Sequence, residues 1–173
     1  MSNQIPRKLK HFSLFVEGRG YAGRVEELTT PKLVRKMEEY RAGGMNAPIE
    51  LDMGMDKLEA EFTLAEYNEE MFKVWGVRDN AGIGLRFKGA LEADDGSGTV
   101  TPVDIVLRGR WRELDMGNWK GGDNATLKVS VALSYYKYNS NGEDLVEIDV
   151  PNMVEKVGGV DRLADHRAAI GVV

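Results

Sequence analysis

The sequence predicts a mainly β protein: an antiparallel β-sandwich or barrel with one flanking helix and a short C-terminal helix. Three observations carry that reading. Apolar and polar residues alternate over several short runs, most clearly in "KLEAEFTL" (57–64) and "LKVSVALSYYKY" (127–138). Two tight-turn dipeptides, Asp95-Gly96 and Asn141-Gly142, separate such runs. Helical spacing is confined to short stretches. With about seven strand signals and no internal repeat, the chain, 1–173, reads as a single domain.

The elements follow in order. "HFSLFVEG" (11–18) places Phe12, Leu14 and Val16 on one face and Ser13 and Phe15 on the other, a strand that ends at Gly18. "RGYAGRVEELTTPKL" (19–33) holds a weaker strand, with Pro31 closing it or lying at an edge. In "LVRKMEEY" (33–40), Leu33, Met37 and Tyr40 have helical spacing and Thr30-Pro31 suits a cap and first turn, so the local sequence predicts a helix. In 57–64, Leu58, Ala60, Phe62 and Leu64 share one face, and Lys57, Glu59, Glu61 and Thr63 the other, as in a half-buried strand. A short amphipathic helix follows: Tyr67, Met71, Val74 and Trp75 recur at helical spacing, Glu66, Glu69 and Glu70 load its start, and Gly76 stops it. Two strands flank "ADDGSG" (93–98), and in the second Val103, Ile105, Leu107 and Trp111 line one face. The run from 127 alternates Leu127, Val129, Val131, Leu133 and Tyr135 against polar or small residues, then turns at Asn141-Gly142 into "EDLVEIDV" (143–150). "GVDRLADHRAAIG" (159–171) predicts a helix with Asp161 as N-cap and Gly171 as stop.

Composition narrows the function classes. An apolar fraction of 42% and a charged fraction of 29% are those of a globular protein and exclude extensive disorder. A net charge of −5 repels nucleic acid, which counts against a DNA-binding protein but not against one that DNA slides past. Without cysteine there is no disulfide and no thiolate chemistry. The N-terminus "MSNQIPRKLKHFSLF" lacks an apolar core segment, and no window approaches ~20 apolar residues. Neither a secretory signal nor a membrane anchor is expected, and the chain is expected to fold in a cytoplasm.

No constellation for chemistry emerges. His11 and His166 lie outside any metal or catalytic pattern and read as surface or interface residues. The glycines of "AGIGLRFKG" (81–89) and "WKGGDN" (119–124) miss the phosphate-loop spacings, and "EADD" (92–95) lacks the rest of a calcium loop. No catalytic residue, metal ligand or cofactor is therefore expected. A β-barrel enzyme or ligand-binding protein would need convergent polar groups that the sequence does not offer. Arg108, Arg110 and Arg112 share a strand face, but no aromatic is interleaved there, which favours pairing with Asp or Glu on a neighbouring strand or subunit over nucleic-acid binding.

Two glycine-rich segments are left over. "YRAGGMNAPIELDMG" (40–54) is too apolar for a solvated linker and too interrupted for a helix or strand. With the loop 116–124 it contributes Met45, Ile49, Leu51, Met53, Met116 and Trp119, to which Met55 adds. Such residues suit burial by another subunit, the alternative being that each loop folds back on its own core. Gly43 and Gly44 allow a turn at positive φ.

"PRKLK" (6–10), "TTPKLVRKMEEYRAGGMNAPIELDMG" (29–54), "LRGRWRELDMGNWKGGD" (107–123), "VALSYYKY" (131–138) and "GEDLVEIDVPNMVEKVGGVDRLADHRAAIG" (142–171) together carry a resemblance. Over nearly its whole length the chain resembles the major tail tube proteins of contractile-tailed bacteriophages and of R-type phage-tail-like bacteriocins, with "YRAGGM" and "GGVDRL" the most specific stretches. The resemblance implies a non-enzymatic virion protein whose hexameric rings stack into the inner tube of a contractile tail, with lumen strands of six subunits closing a ring-wide barrel. It implies a tube driven through the host envelope that conducts DNA without sequence-specific binding. The implied partners are copies of the chain, the tail sheath protein, the baseplate and tail terminator proteins, and a tape measure protein in the lumen. Assembly would take place in the host bacterial cytoplasm. It also implies a strand, not a helix, at 33–40. Within this frame the subunit interface is assigned to Tyr40, Arg41, Gly43, Gly44, Met45, Pro48, Ile49, Leu51, Met53, Met116 and Trp119 in a long loop at 40–55 and its companion. Glu59 and Glu61 are the lumen candidates. The tube of a DNA-free R-type bacteriocin, or a type VI secretion-like hexameric tube protein, is the alternative.

Overall fold

Antiparallel pairing accounts for every strand contact in the computed structural model, which describes residues 4–172, so residues 1–3 and 173 of the predicted domain lie outside the described residues. In chain order the elements are β1 (Lys8–Val16), β2 (Arg19–Gly20), β3 (Val25–Thr29), β4 (Arg35–Tyr40), β5 (Ile49–Met55), β6 (Leu58–Leu64), α1 (Glu69–Lys73), β7 (Ile83–Glu92), β8 (Val100–Asp115), β9 (Leu127–Ser140), β10 (Glu143–Asp149), β11 (Val154–Val157), β12 (Val160–Asp161) and α2 (Ala164–Ala169). The fold is mainly β with two short helices, and no described helix is long and apolar enough to cross a membrane.

Ten strands form one branched sheet: eight follow the order β12-β11-β10-β9-β8-β7-β1-β2, and β6 and β3 branch from it. The branch lies at β9, whose first half pairs with β6 and whose second half pairs with β10, while β8 runs along its other edge. β3 then pairs with β6. The predicted barrel is not closed within the chain: the sheet ends at β2, β12 and β3, each with one neighbour among the described residues. β4 and β5 form a separate two-stranded sheet.

Inward side chains of both branches meet in one core. Leu14, Phe62, Leu64, Leu107, Leu127, Val129 and Val131 are essentially inaccessible. The ring of Phe62 meets that of Trp111 edge to face at 5.6 Å. The alternation of 57–64 appears as predicted, with Leu58, Ala60, Phe62 and Leu64 buried. That of β9 holds as far as Leu133, which still packs against the core. Opposite Arg108 and Gly109 of β8, Ser134 is an extra residue, and past this bulge Tyr136, not Tyr135, turns to the core. Gly109 makes the bulge possible, because a Cβ there would lie 2.2 Å from the Ala132 carbonyl oxygen.

Helix α1 is capped by Asn68, whose side chain accepts from the Glu70 amide, and it buries Met71 against the core. The indole Nε1 of Trp111 donates to the Met71 carbonyl at 2.9 Å, fastening this short helix to β8. The helix ends at Lys73, so Trp75, predicted on its buried face, is 55% exposed. At the C-terminus Asp161 is not the N-cap. It lies in β12, three residues before α2, accepts from the Leu163 amide at 3.1 Å and pairs with Arg167 at 2.6 Å. That pairing holds its carboxyl below the usual range, with the Arg167 hydrogen bond the main cause. The helix read locally over 33–40 is also overturned: residues 35–40 are β4, as the family resemblance implied, because cross-strand pairing with β5 outweighs a weak period over eight residues.

Candidate assembly interface

The predicted long loop at 40–55 is a β-arm. β4 and β5 pair in register Tyr40 with Ile49, Glu38 with Leu51 and Met37 with Asp52, so only 41–48 is loop. Proline and glycine interrupt the sequence at the tip and at a bulge near Gly54, which has φ of 105°, leaving a strand between them that composition conceals. The tip is tied internally. Arg41 Nε donates to the Met45 carbonyl at 3.2 Å, the Ala42 amide lies 3.3 Å from Met45 Sδ, and Pro48 leads into β5. Gly44 takes φ of 86°; Gly43 does not need positive φ, and a Cβ on it would meet nothing within 4 Å.

The register sorts the arm into two faces. Tyr40, Ile49, Leu51 and Met53 share one with Glu38, which stands opposite Leu51, and the four apolar residues are each between 41% and 56% exposed. On the other, Glu39 stands opposite Glu50, with Met37 and Asp52 beside them. No core lies beneath either face, and β4 is exposed along its whole length. Met55, at the root, does pack against the core.

The companion loop divides differently. Met116 packs against the core, and its carbonyl accepts from the Tyr67 hydroxyl at 3.0 Å. Trp119 stacks on Tyr67 at 5.9 Å yet is 75% exposed. One residue of this pair thus folds back on its own chain while the other stays open. The arm gathers exposed apolar area on one face, and with Trp119 this is area that a monomer gains nothing from leaving bare.

Glu59 and Glu61 lie on the outward side of β6, each with a cation. Arg112 reaches Glu59 at 2.6 Å, and Lys128 reaches Glu61 at 3.1 Å. Hydrogen bonding to Arg112 lowers the Glu59 pKa, and Glu61 in turn raises that of Lys128 by hydrogen bonding and charge. The arginine stripe is divided: Arg112 is displaced by a second bulge towards Glu59, Arg108 lies over the Tyr135 ring at 5.2 Å, and Arg110 donates to the Arg78 carbonyl. Only one of the three therefore meets a carboxylate among the described residues. The exposed His11 and His166 stand on β1 and α2, and no described group of His, Cys, Asp and Glu could hold a metal ion. One contact had no sequence signal. Arg35, at the root of the arm, pairs with the buried Glu155 of β11, 120 residues away.

Among the described residues the chain is an antiparallel β body that carries a coreless arm with an exposed, mainly apolar face. The chain belongs to the family described as phage tail tube protein FII, whose model matches residues 6–171, and it is a structural component of the virion rather than an enzyme. It is 41% identical over 173 residues to the tail tube protein of Escherichia phage P2, covering 97% of this chain and 99% of that one. It is 33% identical over 164 residues to the major tail tube protein of Serratia phage KSP20, covering 94% of each. Among solved structures, the tube-terminating cap of the anti-feeding prophage matches with a TM-score of 0.62 at 10% identity, over 81% of this chain and 95% of that chain. The sheath–tube complex of the PVC extracellular contractile injection system in its extended state matches with a TM-score of 0.59 at 10% identity, over 78% of this chain and 92% of that chain. These two share the fold.

Proposed function

We propose that this tail tube protein forms hexameric rings that stack into the inner tube of a contractile tail, and that the tube is driven through the host envelope and conducts DNA. The observation that carries the reading is the arm, whose Tyr40, Ile49, Leu51 and Met53 face is bare in the single chain. A second copy covers that face, and Trp119 joins the same set of contacts. A head-to-tail contact that closes gives a ring, and one that does not close gives a growing tube. The open ends of the ten-stranded sheet fit the same picture, since closure across six subunits would remove exposed edges. The partners are copies of the chain, the tail sheath, baseplate and terminator proteins, and a tape measure protein in the lumen. That setting agrees with the sheath–tube complex and tube cap in which chains of this fold are found.

Glu59 and Glu61 face the lumen in this reading. Their role is to occupy Arg112 and Lys128, so that these two cations are not offered to DNA. A reconstruction of the tube with both carboxylates far from the lumen would sink the assignment. Deletion of 43–48 tests the arm: it should leave soluble protein with unchanged strand content by circular dichroism and no tubes by negative-stain microscopy. Tubes at normal yield would refute the role of the arm.

A further inference from the structure

The direction of the arm is decided at its root. β4 and β5 pair only with each other, and among the described residues the one side-chain polar contact from the arm to the body is made by Arg35. Its guanidinium forks onto Glu155: Nη1 lies 3.3 Å from Oε2, and Nη2 makes a closer contact with Oε1. Nε lies 3.5 Å from Asp52 on the arm itself. The Glu155 side chain is only 9% exposed, and the Arg162 amide, just past β12, donates to its backbone carbonyl at 2.8 Å, which holds it in β11.

Apolar packing at the root leaves room to tilt. A cleft of about 410 Å³ opens beside the ion pair, bounded by Met55, Leu58, Leu133, Ile148, Val154 and Leu163. Apolar contact is non-directional, whereas a planar fork held between two carboxylates fixes an angle. The lever is long. The six residues of β4, at ~3.4 Å each, put the tip ~20 Å from the root, so a tilt of ~10° moves it by ~3.5 Å. That displacement exceeds what close-packed side chains accommodate.

We infer that Glu155 is the positioning residue of the arm: through Arg35 it sets the direction in which the apolar face is presented to a second copy of the chain. The inference rests on the assembly reading above for its purpose, and on the root geometry for its existence. The chain has no cysteine, so spin labels can be placed cleanly at Asn46→Cys on the tip and Glu143→Cys on the body. Dipolar spectroscopy on unassembled protein then reads the tip-to-body distance. A narrow distribution is expected in the parent. Arg35→Ala and Glu155→Gln should broaden it roughly twofold, with an unchanged circular dichroism spectrum and loss of tubes by microscopy. Arg35→Lys, which retains the charge, should give a narrower distribution than Arg35→Ala. A distribution in Arg35→Ala as narrow as the parent's would overturn the inference, and Arg35→Lys as broad as Arg35→Ala would remove the ion pair as its cause. Should Glu155→Gln fail to fold, the Arg35 variants decide alone, since that side chain is half-exposed. A parent with a narrow distribution that never forms tubes would count against assembly and leave the positioning role standing.

Discussion

Gly109 and Gly43 look alike as letters and differ in what surrounds them. A Cβ on Gly109 would collide with the backbone of Ala132 at the bulge, so Gly109→Ala should lower stability by about 2–3 kcal/mol in urea unfolding. Gly43→Ala should change stability by less than about 0.5 kcal/mol in the same measurement, and tubes should still form. The sequence suggested a turn at Gly43 and left Gly109 unmarked within a strand, because a close backbone approach between strands distant in sequence leaves no local mark. Tyr135 shows the same limit. The continuing alternation placed it on the core face, whereas the bulge at Ser134 turns it away, where its hydroxyl donates to Glu147 at 3.0 Å beneath Arg108. Desolvation, then the hydrogen bond and charge of Glu147, push its pKa up to about 12. A phenol with a raised folded-state pKa stabilises the fold fully below its unfolded value, near 10, and that contribution is lost as pH rises towards about 12. Stability of the parent should therefore fall between those values more steeply than that of Tyr135→Phe. Tyrosinate absorbance, followed in parallel, should lose a late-ionising phenol in Tyr135→Phe.

Among the strands, those with one buried face were legible and those of the arm, with none, were not. β6, and the hairpins through Asp95-Gly96 and Asn141-Gly142, could be read because burial imposes a period of two and tight turns demand particular residues. Asn141 and Gly142 indeed take φ of 53° and 86°. The arm has no core beneath it, so nothing enforces alternation, and Leu33, Met37 and Tyr40 mimic a helical period instead. Helix α1 lies between these cases. Its five residues are too few to persist alone, and Met71 with the Trp111 hydrogen bond keeps it in place. Trp111→Phe keeps most of the ring's burial but strands the Met71 carbonyl. It should cost about 1–3 kcal/mol and speed amide exchange in α1 more than in β9.

The family of the whole molecule was legible from segments spread along the chain, and membership holds over residues 6–171. What sequence could not supply is the arrangement that joins distant parts: the branch at β9, the cations seated on Glu59 and Glu61, and the contact between Arg35 and Glu155. Each depends on tertiary approach, and none has a local pattern. The single chain also leaves its sheet open at β2, β12 and β3, so its architecture is incomplete in a way that composition does not reveal.

The coreless arm has a kinetic consequence. The Arg35–Glu155 pair fixes its direction, but its apolar face is bare in the single chain. Early encounters between subunits would bear the entropy of association with few contacts, whereas a subunit arriving at an assembled end would meet a complete surface. Polymerisation should therefore show a critical concentration and a lag in light scattering, and sheared tube fragments added at time zero should abolish the lag. A population of subunits can thus remain unassembled until a template appears, so that where a tube begins is set by the template and not by concentration alone.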